Sequence, residues 1–455
     1  MIVIDWDASL PPLLEPEHHA VALSHVMVEL HASHKVVCCV GAGATTSTGL
    51  QDFRSSTGLY SNPPLSSSNE MSSSPSKLSH SSSSSSSSSS LSQRNIKQLF
   101  SYTSLIDPTS RQQHFEYMAS LRQQSVEAIK FSKQRNKRQR TQQQQQQRAR
   151  TTSEPDPCHT PASSCSSSSF SSLSSSSWQD ETVPLVKPFV AKQRNKGITS
   201  FHSFMIELKR MGKLERVYSQ NVDGFEKASG LSIVNLTGVT PSNWIKSHNK
   251  HDDSNETHET NRKRERKQDD ELIGDCVLLH GSVHAIKCST CSYVGEWSDR
   301  FDFAIEQGKS IACPDCSHKN QNRQHRLSRS CTKTTRSFLR PALLLYDEPM
   351  TTHSNDSNLI EISKILNKDL NNKPDMLIVW GTSLKIPGFR QLVKRMATQV
   401  HVHQGLCILV NREQVGKEWN QVFDYHFICD CDDFVDRIRS DWQSGVHLSQ
   451  DWINV

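Results

Sequence analysis

The chain has 455 residues, of which 34% are hydrophobic, with a formal net charge of +5 and thirteen cysteines. That length can hold two or three domains, but long stretches with almost no large apolar residue cannot contribute to a packed core. So small a charge argues for no partner by itself, no apolar run approaches the roughly 18 to 20 residues of a transmembrane helix, and the acidic residues 1–19 do not read as a secretory signal.

Along the chain, the apolar spacing of Ala20 to Leu30 predicts a helix, followed by a buried strand over Lys35 to Val40 and a glycine turn, Gly41-Ala42-Gly43. A strand, a glycine turn and a helix in that order are how dinucleotide-binding sheets let a backbone approach a pyrophosphate. The generic fingerprint is incomplete: Thr46 stands where a third glycine belongs, and no acidic residue lies about 20 positions on. An ordinary tight turn is therefore an alternative reading of the glycines alone. The polar and aromatic continuation Gly49 to Ser55 is more than a simple turn needs.

Three polar blocks, 61–94, 131–195 and 248–270, include the serine run Ser81 to Ser90 and the glutamine run Gln142 to Gln147. They lack the apolar surface that would offset the entropy of ordering, so disordered inserts are expected there. Two basic runs lie within them, Lys133 to Arg140 and Arg262 to Lys267. These suit nuclear import, contact with nucleic acid, or a solvated linker. Between the first two blocks, Asn95 to Ile129 reads as two helices around Asp107-Pro108, and Ile198 to Met211 as another amphipathic helix.

Three further strands each run into a polar turn: Arg216 to Tyr218 before Ser219-Gln220-Asn221, Asp375 to Trp380 before Gly381-Thr382-Ser383, and Leu406 to Val410 before Asn411. In a parallel sheet such turns share the carboxyl edge, where ligands bind. The fold class is therefore α/β, a Rossmann-like parallel sheet with a smaller domain. His280 closes an apolar strand end and is followed by glycine. Taken alone, it is one histidine among 21.

Cys288-x-x-Cys291 and Cys313-x-x-Cys316, with residues 292 to 312 between the pairs, have the spacing of a four-cysteine zinc site. Two knuckles complete a tetrahedron and leave no open position, so a zinc ion there would be structural. An odd cysteine number whose best-spaced members form such pairs favours a reducing, intracellular setting over disulfides.

Gly41 to Tyr60 (GAGATTSTGLQDFRSSTGLY) resembles the glycine loop and cofactor loop of the sirtuin family, and Ser219 to Asp223 (SQNVD) resembles its QNID motif. The His280-Gly281 pair just before the first cysteine pair, Leu339 to Glu348 (LRPALLLYDE), Gly381 to Leu384 (GTSL) and Asn411-Arg412-Glu413 follow in family order. Together these motifs run from residue 36 to residue 434 and omit only the three polar blocks.

The resemblance implies NAD as cofactor, Zn(2+) on Cys288, Cys291, Cys313 and Cys316, and His280 as catalytic base. It implies NAD contacts from Gly41, Ala42, Gly43, Thr45, Asp52, Phe53, Arg54, Gln220, Asn221, Asp223, Gly381, Thr382, Ser383, Asn411, Arg412 and Cys431. An acetyl-lysine peptide would pair as an added strand along Leu343, Leu344, Tyr346 and Asp347. The sequence departs from the family pattern at Thr45 for serine, Gln51 for proline and Asp347 for glycine. Losing the proline frees φ at position 51, which bears on cofactor affinity.

The domains implied are a discontinuous NAD-binding domain (20–60, 212–247, 271–284 and 339–440), a helical module (95–130 and 196–211) and a zinc-binding module (285–338). The expected activity is NAD-dependent deacetylation of protein lysine, releasing nicotinamide and O-acetyl-ADP-ribose. Features of 95–122 and of 384–388 with the basic helix after them are most similar to a fungal nuclear branch acting on core histones. That similarity implies nuclear localisation, with a cytoplasmic alternative, and chromatin association through the basic inserts. Protein mono-ADP-ribosylation in the same pocket, or a zinc-stabilised chromatin scaffold with a degenerate pocket, are the other readings of these residues.

Overall fold

The computed structural model describes residues 1–6, 16–52, 96–151, 199–234, 236, 273–327, 337–348 and 353–443. The expected inserts 61–94 and 248–270 lie outside these residues.

Seven parallel strands form the main sheet: β1 (Ile2–Asp5), β2 (Val36–Val40), β3 (Leu214–Ser219), β4 (Cys276–Leu278), β8 (Met376–Trp380), β9 (Leu406–Val410) and β10 (Tyr425–Ile428). Their order is β1-β10-β9-β8-β2-β3-β4. Every residue of β2, β8 and β9 is buried, as strands covered on both faces require. Alternate side chains of β2 serve two cores: Val36, Cys38 and Val40 face one, while Val37 and Cys39 face the other.

Helix α1 (Pro16–Ala32) closes the first core with the stripe Ala22, Leu23, Val26, Met27 and Leu30, one face of a 3.6-residue period. Helices α4 (Ser200–Arg210) and α10 (Cys431–Gln443) pack on the same side. Helices α8 (His353–Asn371) and α9 (Pro387–Val402) cover the opposite face. The small helix α5 (Phe225–Ser229) follows β3.

A second, antiparallel sheet has the order β6-β5-β7, formed by β5 (Gly281–Cys288), β6 (Val294–Glu296) and β7 (Leu339–Leu343). It shares a third core with α3 (Pro108–Thr151) and α6 (Asp299–Glu306), built on Phe115, Met118, Trp297, Phe301 and Leu339. Helix α2 (Ile96–Leu99) and a 3-10 turn, Tyr102–Leu105, precede α3. Helix α7 (Pro314–Leu327) carries the last cysteine of the four.

Helix α3 differs from the sequence reading at its far end. It runs on to Thr151, so residues 131–151, expected within a disordered insert, are helical. Gln, Lys and Arg are good intrinsic helix formers, and a helix already nucleated on a packed face extends at little cost. Among the described residues no helix is long and apolar enough to cross a membrane.

Candidate active site

Along the main sheet the carboxyl ends of the strands fall in register: Val40 pairs with Ser219 and Trp380, Trp380 with Val410, and Ser219 with Leu278. The polar turns after them therefore meet along one edge. From β2 the chain moves outward to β3 and β4, then returns to lay β8, β9 and β10 on the other side of β2. The order reverses between β2 and β8, and a crevice opens at such a switch point.

Two glycine turns face each other there. The Gly41 N–H donates to the Trp380 carbonyl at 2.9 Å and the Gly43 N–H to the Gly381 carbonyl at 2.8 Å. A Cβ on Gly41 would sit 2.6 Å from the Gly381 oxygen, and one on Gly43 would sit 2.8 Å from Gly381 atoms. Only glycine allows the turns to close this far. A 3-10 helix, Ala42–Thr48, starts from the first turn.

The edge encloses a cavity of about 610 Å³, within the usual range for small-molecule sites. Of the residues singled out in the sequence, its lining includes Ala42, Gly43, Asp52, Gln220, His280, Leu343, Leu344, Tyr346, Asp347, Gly381, Thr382, Ser383, Asn411, Arg412 and Cys431. Thr45, Asn221 and Asp223 lie behind that wall: Thr45 and Asn221 are each 2% exposed. Phe53 and Arg54 lie outside the described residues.

The structure adds Phe100, Val222, Lys385, Ile386 and Asp430 to the wall. Phe100 enters because the Tyr346 N–H donates to its carbonyl at 2.7 Å while Tyr102 N–H returns a bond to Tyr346 at 2.8 Å. Nothing local in the sequence signals that long-range pairing. Ile386 and Pro387 had a signal, since proline in the first turn marks the start of α9.

His280 follows β4. Its Nδ1 lies 3.0 Å from the Gln220 carbonyl oxygen, and a carbonyl can only accept, so Nδ1 carries the proton and Nε2 of the neutral ring is the basic nitrogen. The His280 carbonyl accepts from the Leu344 N–H at 3.0 Å, which ties the histidine to the end of β7. Gly281 has φ +83°, and a Cβ there would stand 2.0 Å from the Ala342 carbonyl oxygen. Beyond Leu343 the chain turns through Asp347, whose φ of 58° is left-handed, a region aspartate tolerates better than most residues. Glu348 pins this turn by accepting from Leu345 N–H at 3.2 Å and pairing with Arg340 and, at 3.5 Å, Lys287.

Behind the wall two carboxyls stand together, Glu226 buried and Asp223 half-buried. Asp223 accepts from Thr45 Oγ1 and the Phe225 N–H, both at 3.1 Å. Glu226 accepts from Ser219 Oγ at 2.6 Å and Asn221 Nδ2 at 3.3 Å. Burial first, and then the neighbouring Glu226 charge, push the Asp223 carboxyl up to about 7. Burial raises Glu226 as well. Asn221 Oδ1 and Glu226 Oε2 are buried without a hydrogen-bond partner. Glu226 escaped the sequence reading, although it is what orients Asn221.

At the far end of the cavity Arg412 forks onto Asp430, with Nη2 at 2.8 Å from a carboxylate oxygen. Thr382 Oγ1 donates to Gln220 Oε1 at 2.9 Å, linking the β8 and β3 turns. Burial raises the Cys431 thiol, which stays protonated.

The four cysteines gather away from this cavity. The ligand sulfurs of Cys288, Cys291, Cys313 and Cys316 lie within 4.8 Å of one another, with Cys288 to Cys316 at 3.9 Å and Cys291 to Cys313 at 3.6 Å. A tetrahedron with zinc–sulfur bonds of about 2.3 Å has edges of about 3.8 Å, so the sulfurs fit zinc. The Thr290 and Cys291 N–H groups donate to Cys288 Sγ at 3.2 and 3.4 Å, stabilising a thiolate in the first knuckle. A dinucleotide is likewise compatible with its crevice, where glycine turns without Cβ atoms, a cation at the far end and buried polar groups line one cavity.

No family model matches the chain. It is 32% identical over 244 residues to the NAD-dependent histone deacetylase HST3 of Saccharomyces cerevisiae, covering 53% of this chain and 48% of that protein. It is 30% identical to the NAD-dependent histone deacetylase HST3 of Candida albicans, over 53% of this chain and 44% of that one. To the NAD-dependent protein deacetylase hst4 of Schizosaccharomyces pombe it is 29% identical, over 50% and 45% respectively. The chain thus spans about half the length of the curated relatives it matches. Among solved structures, it aligns with one described as "Structural Basis for the Mechanism and Regulation of Sir2 Enzymes", at 15% identity and TM-score 0.43, covering 93% of this chain and 98% of that one. Another, "The Structural basis of Sirtuin Substrate Affinity", aligns at 14% identity and TM-score 0.45, over 92% and 98%.

Proposed function

We propose that this chain, a sirtuin by its motif order and its relatives, is an NAD-dependent protein-lysine deacetylase that releases nicotinamide and O-acetyl-ADP-ribose. The observation that carries the reading is one cavity lined at once by the two glycine turns, His280 and the end of β7. NAD would supply the ADP-ribosyl acceptor of the acetyl group and nicotinamide as leaving group.

The glycine turns Gly41-Ala42-Gly43 and Gly381-Thr382-Ser383 would admit its phosphates to the backbone, with Asn411, Arg412 and Cys431 toward its other end. Asp52, with Phe53 and Arg54, would close over the nicotinamide. Gln220, held by Thr382, would position the adjoining ribose, with Asn221, held by Glu226, and with Thr45 and Asp223 bracing that wall from behind.

His280 would act as general base. The Gln220 carbonyl fixes its proton on Nδ1, so Nε2 takes a proton within the cavity, and a neutral imidazole is suited to that near pH 7. The acyl-lysine peptide would add along β7, an edge strand in the small sheet, past Leu343, Leu344, Tyr346 and Asp347. The four-cysteine zinc would be structural, holding β5 against α7. The domain limits given above and a nuclear, histone-directed role belong to the same proposal, supported by the names of the fungal relatives.

Nicotinamide release from NAD and an acetylated histone peptide tests it directly. The wild type should turn over only with both substrates, and His280→Ala should lose at least 100-fold in kcat. Full turnover by that variant, or label from NAD remaining on protein instead of in a small product, would displace the proposal.

A further inference from the structure

A second concavity, of about 530 Å³, adjoins the first and shares Lys385 and Pro387 with it. Its walls carry Lys385, Arg390, Gln391, Lys394, Arg395 and Thr398. The cause is visible in the period of α9. Phe389, Leu392, Val393, Met396, Ala397 and Val400 are buried against the sheet, which turns positions 387, 391, 394, 395 and 398 to solvent. The helix contains no acidic residue, so its whole outer face is basic or neutral.

Two of the cations are held in place. The Arg390 guanidinium lies 5.5 Å and the Lys394 ammonium 5.3 Å from the Trp419 ring centroid, within cation–π range. Arg390 also reaches Glu418 at 3.6 Å, and Arg395 donates to Asn367 at 2.8 Å. A solvated basic helix needs no such concavity and no aromatic platform beneath its charges.

We propose that this groove binds the phosphate backbone of duplex DNA and so docks a DNA-bound substrate beside the catalytic cavity. From Pro387 to Thr398 the helix spans about 16 Å, along which a duplex presents a charge about every 1.7 Å, so Arg390, Lys394 and Arg395, with Lys385 just before the helix, can face phosphates together. Apart from Pro387 every lining residue ends in a charged or polar group, and no aromatic or branched aliphatic side chain stands in the lining to anchor a peptide. That favours a uniform polyanion over an acidic protein segment. Binding itself does not depend on the deacetylase reading. Only the docking consequence rests on it.

The test is fluorescence anisotropy of the full chain with a 20-base-pair duplex between 50 and 200 mM salt. The sequence carries other basic runs, at 133–140 and 262–267, so the readout is the difference between wild type and K394Q/R395Q. Losing two phosphate contacts should lower the magnitude of the log K against log salt slope by about 1.8. Gln391→Glu, which places a carboxylate in the middle of the stripe, should also weaken binding. Nicotinamide release with a free acetylated peptide should be unchanged in both variants, and K394Q/R395Q, although it gives up the Trp419 and Asn367 contacts, should remain folded at the assay temperature by circular dichroism. Equal affinity and slope in wild type and both variants overturns the proposal. So does a polyglutamate peptide that binds the wild type as tightly as the duplex and is lost in the same variants. If wild-type protein binds DNA through the groove yet releases no nicotinamide, the deacetylase reading fails while the groove stands.

Discussion

Replacing Gly281 by alanine tests whether the backbone contact between His280 and β7 sets the catalytic geometry. With φ at +83°, an L-residue there costs about 1 to 2 kcal/mol from conformation alone. The added Cβ would also stand 2.0 Å from the Ala342 carbonyl oxygen, a backbone atom that cannot rotate away. β5 and β7 must therefore part where Gly281 pairs with Leu343, and the bond from Leu344 N–H to His280 goes with them. That bond contributes about 1 kcal/mol. The total is roughly 2 to 3 kcal/mol in urea-unfolding free energy, and displacing the imidazole by about 1 Å should lower kcat about 100-fold. Gly212→Ala is the internal control: its φ is +71°, but nothing lies within 4 Å of the new Cβ. It should cost only the conformational 1 to 2 kcal/mol and leave kcat intact. Should both variants lose the same stability and retain full activity, the contact with Ala342 does not position the histidine.

Two other expectations follow from the site. Burial raises the Asp223 carboxyl to about 7, above its unfolded value. Its stabilising contribution is then complete below pH about 4 and lost as pH rises through about 7. Asp223→Asn removes the cost of the buried charge, so it should become more stable than wild type by about 1 to 3 kcal/mol at pH 8, allowing for weaker hydrogen bonds to Thr45 and Phe225. That advantage should shrink toward pH 4 while activity falls. A stability difference that does not vary with pH in denaturant titrations would show that Asp223 is not held protonated. At the other site, Cys316→Ser should lower bound metal from one zinc per chain to well below one by elemental analysis and lower Tm by several degrees. Retained zinc with unchanged Tm would mean that the four sulfurs do not form the site.

Several features were legible from local spacing. The apolar runs 35–40, 375–380 and 406–410 read as strands from their length and the turns after them. Polar turns directly after these runs and after β3 gather on one edge of a parallel sheet, which is why Gly43, Gln220 and Gly381 could be grouped from the sequence. The cysteine pairs announced a metal site by spacing alone, because a knuckle is a local structure. The continuation of helix α3 past residue 131 was not legible, for the opposite reason. Composition measures how much core a segment can build, not whether a helix already docked through Phe115 and Met118 continues beyond it.

What the residues settled by themselves was therefore period and chemistry: which strands are buried, which turns are polar, which thiols can share a metal. Only the tertiary structure brought Phe100 to the cavity wall and laid the basic face of α9 beside that cavity. Those contacts link residues whose neighbourhood exists only after the chain has crossed between sheets. No local pattern encodes a distance that folding creates.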